Sequence, residues 1–296
     1  MSQLETTSFF SLVRAVEEQR NSKVLVLAAS HLEMELLPQL YDQLQSMGPC
    51  ERLDVLVHAR GGEVNATRRI ALLLRQHCDK LGFIVPYVCQ SAATLLCLVG
   101  DEILAGPLAM FSPIDPHLHG GTETEQEVAM SSEDVRLFGA MCQEWFGVEA
   151  EQARQESLQL LCQSIFPPSL TAFYRTTLEI KQIAMELLAY QLPHLEDATR
   201  AQLIEELVSG YHSHGYALSG QEMQRMGLNC VTHQDVQALA WQVSRQLQAT
   251  VGGAQRNSAD EPWCDALLAS NKSVLVRQRN HAMLAGCWHS LVDCHD

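Results

Sequence analysis

Lysine is scarce in this chain, with only Lys23, Lys80, Lys181 and Lys272. Lysine and arginine together number 20 against 35 acidic residues, so the formal net charge is −15 over 296 residues. Such a surface lacks the positive charge that grips phosphates, and nucleic acid is not expected as a partner. Anionic lipid is excluded on the same ground. No apolar run reaches the roughly 18 residues that read as a membrane-spanning helix. No basic stretch leading into an apolar one opens the sequence, so no secretion signal is read. None of the ten cysteines forms a Cys-x-x-Cys pair. A disulfide framework is therefore not expected, and a reducing cytoplasm is the simplest setting. The Gly-rich, lysine-ended loop that cradles nucleotide phosphates is also missing. His212 and His214 stand two apart but have no third ligand nearby. The Cys and His residues of the tail (His281, Cys287, His289, Cys294, His295) match no structural zinc spacing. Neither a metal nor a cofactor is expected.

The composition, with 47% apolar and 19% charged residues, belongs to a globular protein able to bury a sizeable core. Short apolar runs alternate with helical patterns through the first 115 residues. Lys23–Ala29, Leu53–His58 and Phe83–Val88 have the length of strands buried on both faces. Glu102–Ala105 and Ala109–Phe111 read as shorter strands. Helices are expected at about Ser8–Gln19, after a Ser30 cap up to Gly48, from Ala66 to His77, and from Ser91 onward. This alternation predicts an α/β fold, a parallel sheet wound with helices. Gly120–Glu125 reads as an exposed loop. From about 130 to 250 the signals are helical, with stops at Pro167-Pro168 and Gly210. Thr250–Trp263 is polar and reads as a linker, and the last 30 residues carry no clear pattern. One domain over 1–250, with its helical part from about 130, and a linker and tail over 251–296 are expected.

Three local features bear chemistry. His58-Ala59-Arg60-Gly61-Gly62 follows a buried strand, where two glycines allow a sharp turn and a close backbone approach. Ser91 follows the next strand and opens a helix, whose free amides favour negative charge. Phe111-Ser112-Pro113-Ile114-Asp115-Pro116-His117 ends on an acid and an imidazole between prolines. Singly these are an ordinary turn, a helix cap and an Asp-Pro turn. Their order within one α/β unit is what raises their weight.

Gly61-Gly62, then Val85-Pro86-x3-Gln90-Ser91-Ala92-Ala93-Thr94-Leu95, Gly100-Asp101-Glu102-Ile103 and Ser112-Pro113-Ile114-Asp115-Pro116, resembles the serine dehydrogenase proteinase family. That family is related to signal peptide peptidase A and the Clp proteolytic subunit. Leu207-Val208-Ser209-Gly210-x3-His214-x-Tyr216-x-Leu218, followed by Glu222-x4-Gly227-Leu228, is similar to a further block of the family. The blocks lie between about residues 50 and 230. The resemblance implies a Clp-protease/crotonase-like fold with a helical C-terminal region. It implies Ser91 as nucleophile, with the amides of Gly62 and Ala92 as oxyanion hole. It also implies a homo-oligomer, a trimer or hexamer, acting on a peptide or protein substrate without cofactor.

The base stays open at this level. Ser112 stands where the Clp subunit's histidine falls, and Gly215 where its acid falls. One reading exchanges the roles between the two segments, with His214 as base and Asp115 orienting it. Lys181, by analogy with signal peptide peptidase A, and His117, with His119 beside it, are the alternatives. Two other functions also stay open. One is crotonase-like acyl-thioester chemistry, in which the oxyanion hole matters and the serine does not. The other is a non-catalytic scaffold or binding protein that keeps the fold.

Overall fold

The computed structural model describes residues 4–115, 117–120, 128–252, 261–280 and 286–293, with the backbone alone for 117–120, 128–131 and 292–293. Its frame is four apolar runs laid side by side. β1 (Lys23–Ala29), β2 (Cys50–Ala59), β3 (Cys78–Val85) and β4 (Glu102–Ala105) are parallel neighbours in that order. Pro86, which cannot donate a ladder hydrogen bond, follows the last residue of β3. Parallel neighbours need crossovers, and helices supply them. α1 (Thr6–Arg20) precedes β1, and α2 (Leu37–Met47) follows it after a single 3-10 turn. α3 (Val64–His77) links β2 to β3, and α4 (Ala92–Cys97) links β3 to β4. β5 (His117–Gly120) and β6 (Val128–Ser131) form a separate antiparallel pair.

The helical stretch expected after about residue 130 follows. It comprises α5 (Ser132–Phe146), α6 (Ala150–Ser164), α7 (Pro167–Gln191), α8 (Asp197–Ser209), α9 (Gly220–Met226) and α10 (Gln234–Thr250), with β7 (Cys230–Val231) pairing with β4 before α10. The α/β class and the winding of helices on a largely parallel sheet are as the sequence predicts.

Alternate residues of each strand enter opposite cores. Leu25, Leu27, Val55, Val57, Phe83, Val85 and Ile103 pack with residues of α2, α3, α4, α7 and α8. Val24, Val26, Leu56, Ile84 and Leu104 pack with Phe9, Phe10, Val13 and Val16 of α1 and Val236, Ala240, Val243 and Leu247 of α10. Burial on both faces is why these strands read as unbroken apolar runs rather than as alternation.

Three details differ from expectation. Ser30 caps no helix: its amide donates to Asp265 O at 2.7 Å, and the residue before α2 is Leu36. Ala109–Phe111 forms no strand of its own but two isolated bridges, Val88 with Met110 and Phe111 with Leu218. The larger difference lies at the C-terminal end, where a tail is expected; most of the expected linker, Thr250–Trp263, lies outside the described residues. β8 (Trp263–Ala269) pairs antiparallel with β1, and β9 (Ser273–Arg279) and β10 (Cys287–Asp293) extend the sheet. Among the described residues the sheet order is β10-β9-β8-β1-β2-β3-β4-β7.

Ion pairs tie both parts of the sheet. Near the N-terminal ends of the parallel strands, Asp54 is fully buried and bonded by Arg20 at 3.1 Å and Arg52 at 3.3 Å, and both arginines also bond Glu102. Gly82 makes room for that carboxylate, since a Cβ there would stand 2.0 Å from Asp54 Oδ1. Arg75 grips Asp101 through two bonds of 2.6 and 2.7 Å. In the added strands, Arg277 is buried against Asp265 at 2.8 and 2.9 Å. Arg277 and Arg279 also bond Glu33.

Candidate active site

The C-terminal ends of β1, β2 and β3 deliver three loops to one place, the usual position of sites in open parallel sheets. After β2 the chain turns at Gly61-Gly62. Leu32, from the loop after β1, bridges to Gly62: its amide donates to Gly61 O at 2.8 Å, and its carbonyl accepts from Glu63 N at 2.8 Å. A Cβ on Gly62 would stand 2.2 Å from Leu32 O, so only glycine fits this approach. Beyond β3 the chain runs beside the same turn, with Gln90 N donating to Ala59 O at 3.0 Å.

Ser91 sits at the corner where that extended segment becomes α4, and it is half-buried. Gly61 has φ 122°, and a Cβ on it would lie 2.9 Å from Ser91 Cβ and 3.3 Å from Ser91 Oγ. The hydroxyl therefore lies beside the glycine turn and is not sealed in the interior. Ser91 itself has φ 53° and ψ −123°, a conformation that costs a residue with a side chain about 1–3 kcal/mol. It occupies the cap position of α4, yet its hydroxyl makes no capping bond. Among the described residues the amides of Gly62 and Ala92 donate to no backbone or side-chain acceptor, and Ser91 Oγ makes no hydrogen bond.

The corner is held from behind. Ser91 N–H donates to Ser112 Oγ at 2.7 Å, and Ser112 Oγ donates to Pro113 O at 3.2 Å. Ser112 N–H donates to Thr94 Oγ1 at 3.1 Å, and Thr94 Oγ1 donates to Cys89 O at 2.8 Å. Ser112 and Thr94 are both fully buried.

Asp115 and His214 come together from segments 99 residues apart, with Nδ1 of His214 2.7 Å from Oδ1 of Asp115. The antiparallel bridge of Phe111 with Leu218, and Ile114 N–H donating to Leu207 O at 3.0 Å, align the two segments. The aspartate side chain is 3% exposed and the histidine 32%, so the acid is walled in and the imidazole reaches outward. Gly215, beside His214, has only Ser213 Oγ near its Cβ position, at 3.7 Å.

Lys181 of α7 bonds Glu205 of α8 at 2.5 Å and does not bond Ser91. His117 and His119 belong to β5, where their side chains lie outside the described residues, and most of the Gly120–Glu125 loop does too. His58 is buried on the α10 side, its ring 6.4 Å from that of Tyr87, which stands edge-on to Trp241. Burial, with Arg60 adding to it, pushes its pKa down to about 4, so it stays neutral. Among the described residues no three His, Cys, Asp or Glu side chains gather as a metal would need. Sequence reasoning missed the part played by Ser112 and Thr94. The one local hint is a hydroxyl three residues after Ser91.

Residues 43–125 match the family model described as ClpP-like SDH-type serine proteinase, in agreement with the resemblance read from the sequence. An uncharacterized protein of Methanocaldococcus jannaschii is 25% identical over 183 residues, 61% of this chain and 52% of that protein. A second uncharacterized protein of that organism is 36% identical over 66 residues, 22% of this chain and 23% of its own length. The chain thus spans about half the length of the first relative and less of the second. Among solved structures, a membrane-bound stomatin-specific protease is similar at TM-score 0.42 and 14% identity, over 74% of this chain and 83% of that one. The ClpP protease catalytic domain from Plasmodium falciparum gives TM-score 0.38 and 10% identity, over 75% and 89%. Among the described residues no helix is long and apolar enough to cross a membrane.

Proposed function

We propose that this chain is a serine peptidase, in which Ser91 attacks a peptide carbonyl and forms an acyl-enzyme. The observation that carries the reading is the Ser91 corner: a hydroxyl at a strained strand-to-helix turn, beside a glycine pair and two amides with no acceptor among the described residues. His214 takes the serine proton as general base through Nε2 and returns it to the leaving amine. Asp115, against Nδ1, fixes the tautomer and steadies the imidazolium. The amides of Gly62 and Ala92 bind the oxyanion that develops on the carbonyl. Water then attacks the ester with the same histidine as base. The serine–histidine bond that this route needs forms when substrate is seated, since such bonds are commonly loose without it.

In this reading the substrate is a peptide or protein chain, and copies of the protein assemble as a trimer or hexamer in the cytoplasm. The exposed Trp145, Phe146, Phe166 and Tyr174 of the α5–α7 region supply apolar surface for such assembly. The test is hydrolysis of a mixed peptide library followed by mass spectrometry. Wild type is expected to cleave, and Ser91→Ala to cut the rate about 10⁴-fold or more while its circular dichroism is unchanged. Cleavage that survives Ser91→Ala contradicts the assignment.

The unbonded Ser91 hydroxyl favours one other reading, acyl-thioester chemistry at the same amide pair. That reading predicts turnover of a coenzyme A thioester that Ser91→Ala leaves intact.

A further inference from the structure

Ser91 has a backbone conformation that a residue with a side chain resists, and something must hold it there. The amide of the strained residue is the natural handle. It is not spent within α4. It donates instead to Ser112 Oγ, from a segment 21 residues further along the chain, at 2.7 Å. The acceptor is itself fixed at both ends. Its hydroxyl donates to Pro113 O, and its amide is tied to Thr94 Oγ1, whose proton goes to Cys89 O just before the corner. The chain of bonds therefore leaves the corner at Ser91 N–H and re-enters it at Cys89 O. Gly61 approaches Ser91 so closely that a Cβ on it would stand 2.9 Å from Ser91 Cβ, so the residue meets both a glycine turn and a pair of buried hydroxyls.

From this geometry we infer that Ser112 and Thr94 are positioning residues: a closed hydroxyl relay that keeps Ser91 in its strained state and so aims Oγ and the neighbouring Ala92 amide. The inference rests on the peptidase reading for its catalytic meaning, though not for its structural content. The relay touches neither substrate nor proton in flight. It acts through the Ser91 backbone alone. Removing the Ser112 hydroxyl leaves the half-buried Ser91 amide without its acceptor and frees φ to relax. Reactive geometry is steep in distance, so a displacement near 1 Å is expected to cost about 100-fold in rate. Substrate binding, which does not depend on the relay, should be nearly unmoved.

The experiment pairs kinetics with amide hydrogen exchange at Ser91 on the full chain, for wild type, Ser112→Ala, Thr94→Val and Thr94→Ser. Thr94→Val keeps the shape and removes the hydroxyl, whereas Thr94→Ser keeps the hydroxyl and loses a methyl. The expected result has two parts. In Ser112→Ala the Ser91 amide loses its protection, and kcat falls about 10- to 100-fold with KM within about twofold. Thr94→Val moves in the same direction, and Thr94→Ser restores most of the rate. Should Ser112→Ala fail to fold, the Thr94 pair decides alone. Protection and kcat unchanged in a folded Ser112→Ala, or Thr94→Val and Thr94→Ser behaving alike, overturns the inference. If wild type cleaves no peptide, the peptidase reading fails, and the exchange comparison still decides whether the relay holds Ser91.

Discussion

The two ends of the parallel sheet are built on opposite rules. At the N-terminal ends of the strands charge is matched to charge: the buried Asp54 lies between Arg20 and Arg52, Glu102 joins them, and Arg75 closes on Asp101. At the C-terminal ends a serine is held at φ 53°, and two amides have no acceptor among the described residues. One end spends its charges on one another; the other keeps a strained serine and donors open to a ligand. Stability and chemistry are thus placed at opposite edges of one set of strands. Substitutions at the two ends should therefore fail in different ways.

The largest effect is on rate. Asp115→Asn leaves the shape intact but presents the wrong partner to His214, and kcat should fall about 10³- to 10⁴-fold with little change in the thermal midpoint, read by steady-state kinetics and calorimetry. Next comes the opposite end. Asp54→Ala removes the buried acceptor shared by Arg20 and Arg52, which keep Glu102, and should cost about 1.5–3 kcal/mol in urea unfolding, while kcat of the folded fraction stays near wild type. If Asp54→Ala lowered kcat without destabilising the fold, the division between the ends would be lost.

Acid should act on the same end. Burial pushes the carboxyls of Asp54, Asp101 and Glu102 up, but hydrogen bonds from Arg20, Arg52 and Arg75 outweigh it and hold all three below their usual range. A carboxyl with a depressed folded pKa contributes its full stability above the unfolded value and loses it as pH falls through the folded one. The urea midpoint should thus be insensitive to these groups at neutral pH and decline below about pH 4, where free carboxyls begin to protonate. Smallest is Lys181→Met. Its pair with Glu205 is largely solvated, so the loss should be under about 1 kcal/mol. A rate loss there would instead return lysine to the list of bases.

The sequence makes the central strands legible because burial on both faces demands long apolar runs, and β1 falls on its expected residues, Lys23–Ala29. The added strands were hidden for the converse reason. β8 and β9 bury Asp265 and Arg277 against each other, so charged residues interrupt the apolar pattern that marks a core strand. A paired buried charge looks like a surface charge until its partner is known. Ser30 misled in a similar way, since a helix cap and a loop serine share the same sequence context.

Within the site, the glycine pair and Ser91 stand out because a tight turn and a strand-to-helix corner need particular residues at short spacing. Asp115 and His214 were singled out by resemblance and by the missing acid at Gly215, and the structure brings them within hydrogen-bond reach. The relay through Ser112 and Thr94 left no comparable mark. It joins residues 18 and 21 positions apart, and ordinary hydroxyls carry no spacing signal over that range.

The most direct measurement is intact-mass and peptide mapping after treatment with a fluorophosphonate. A single adduct on Ser91, formed by wild type and lost in His214→Ala, is expected. No adduct, or one on another residue, contradicts it.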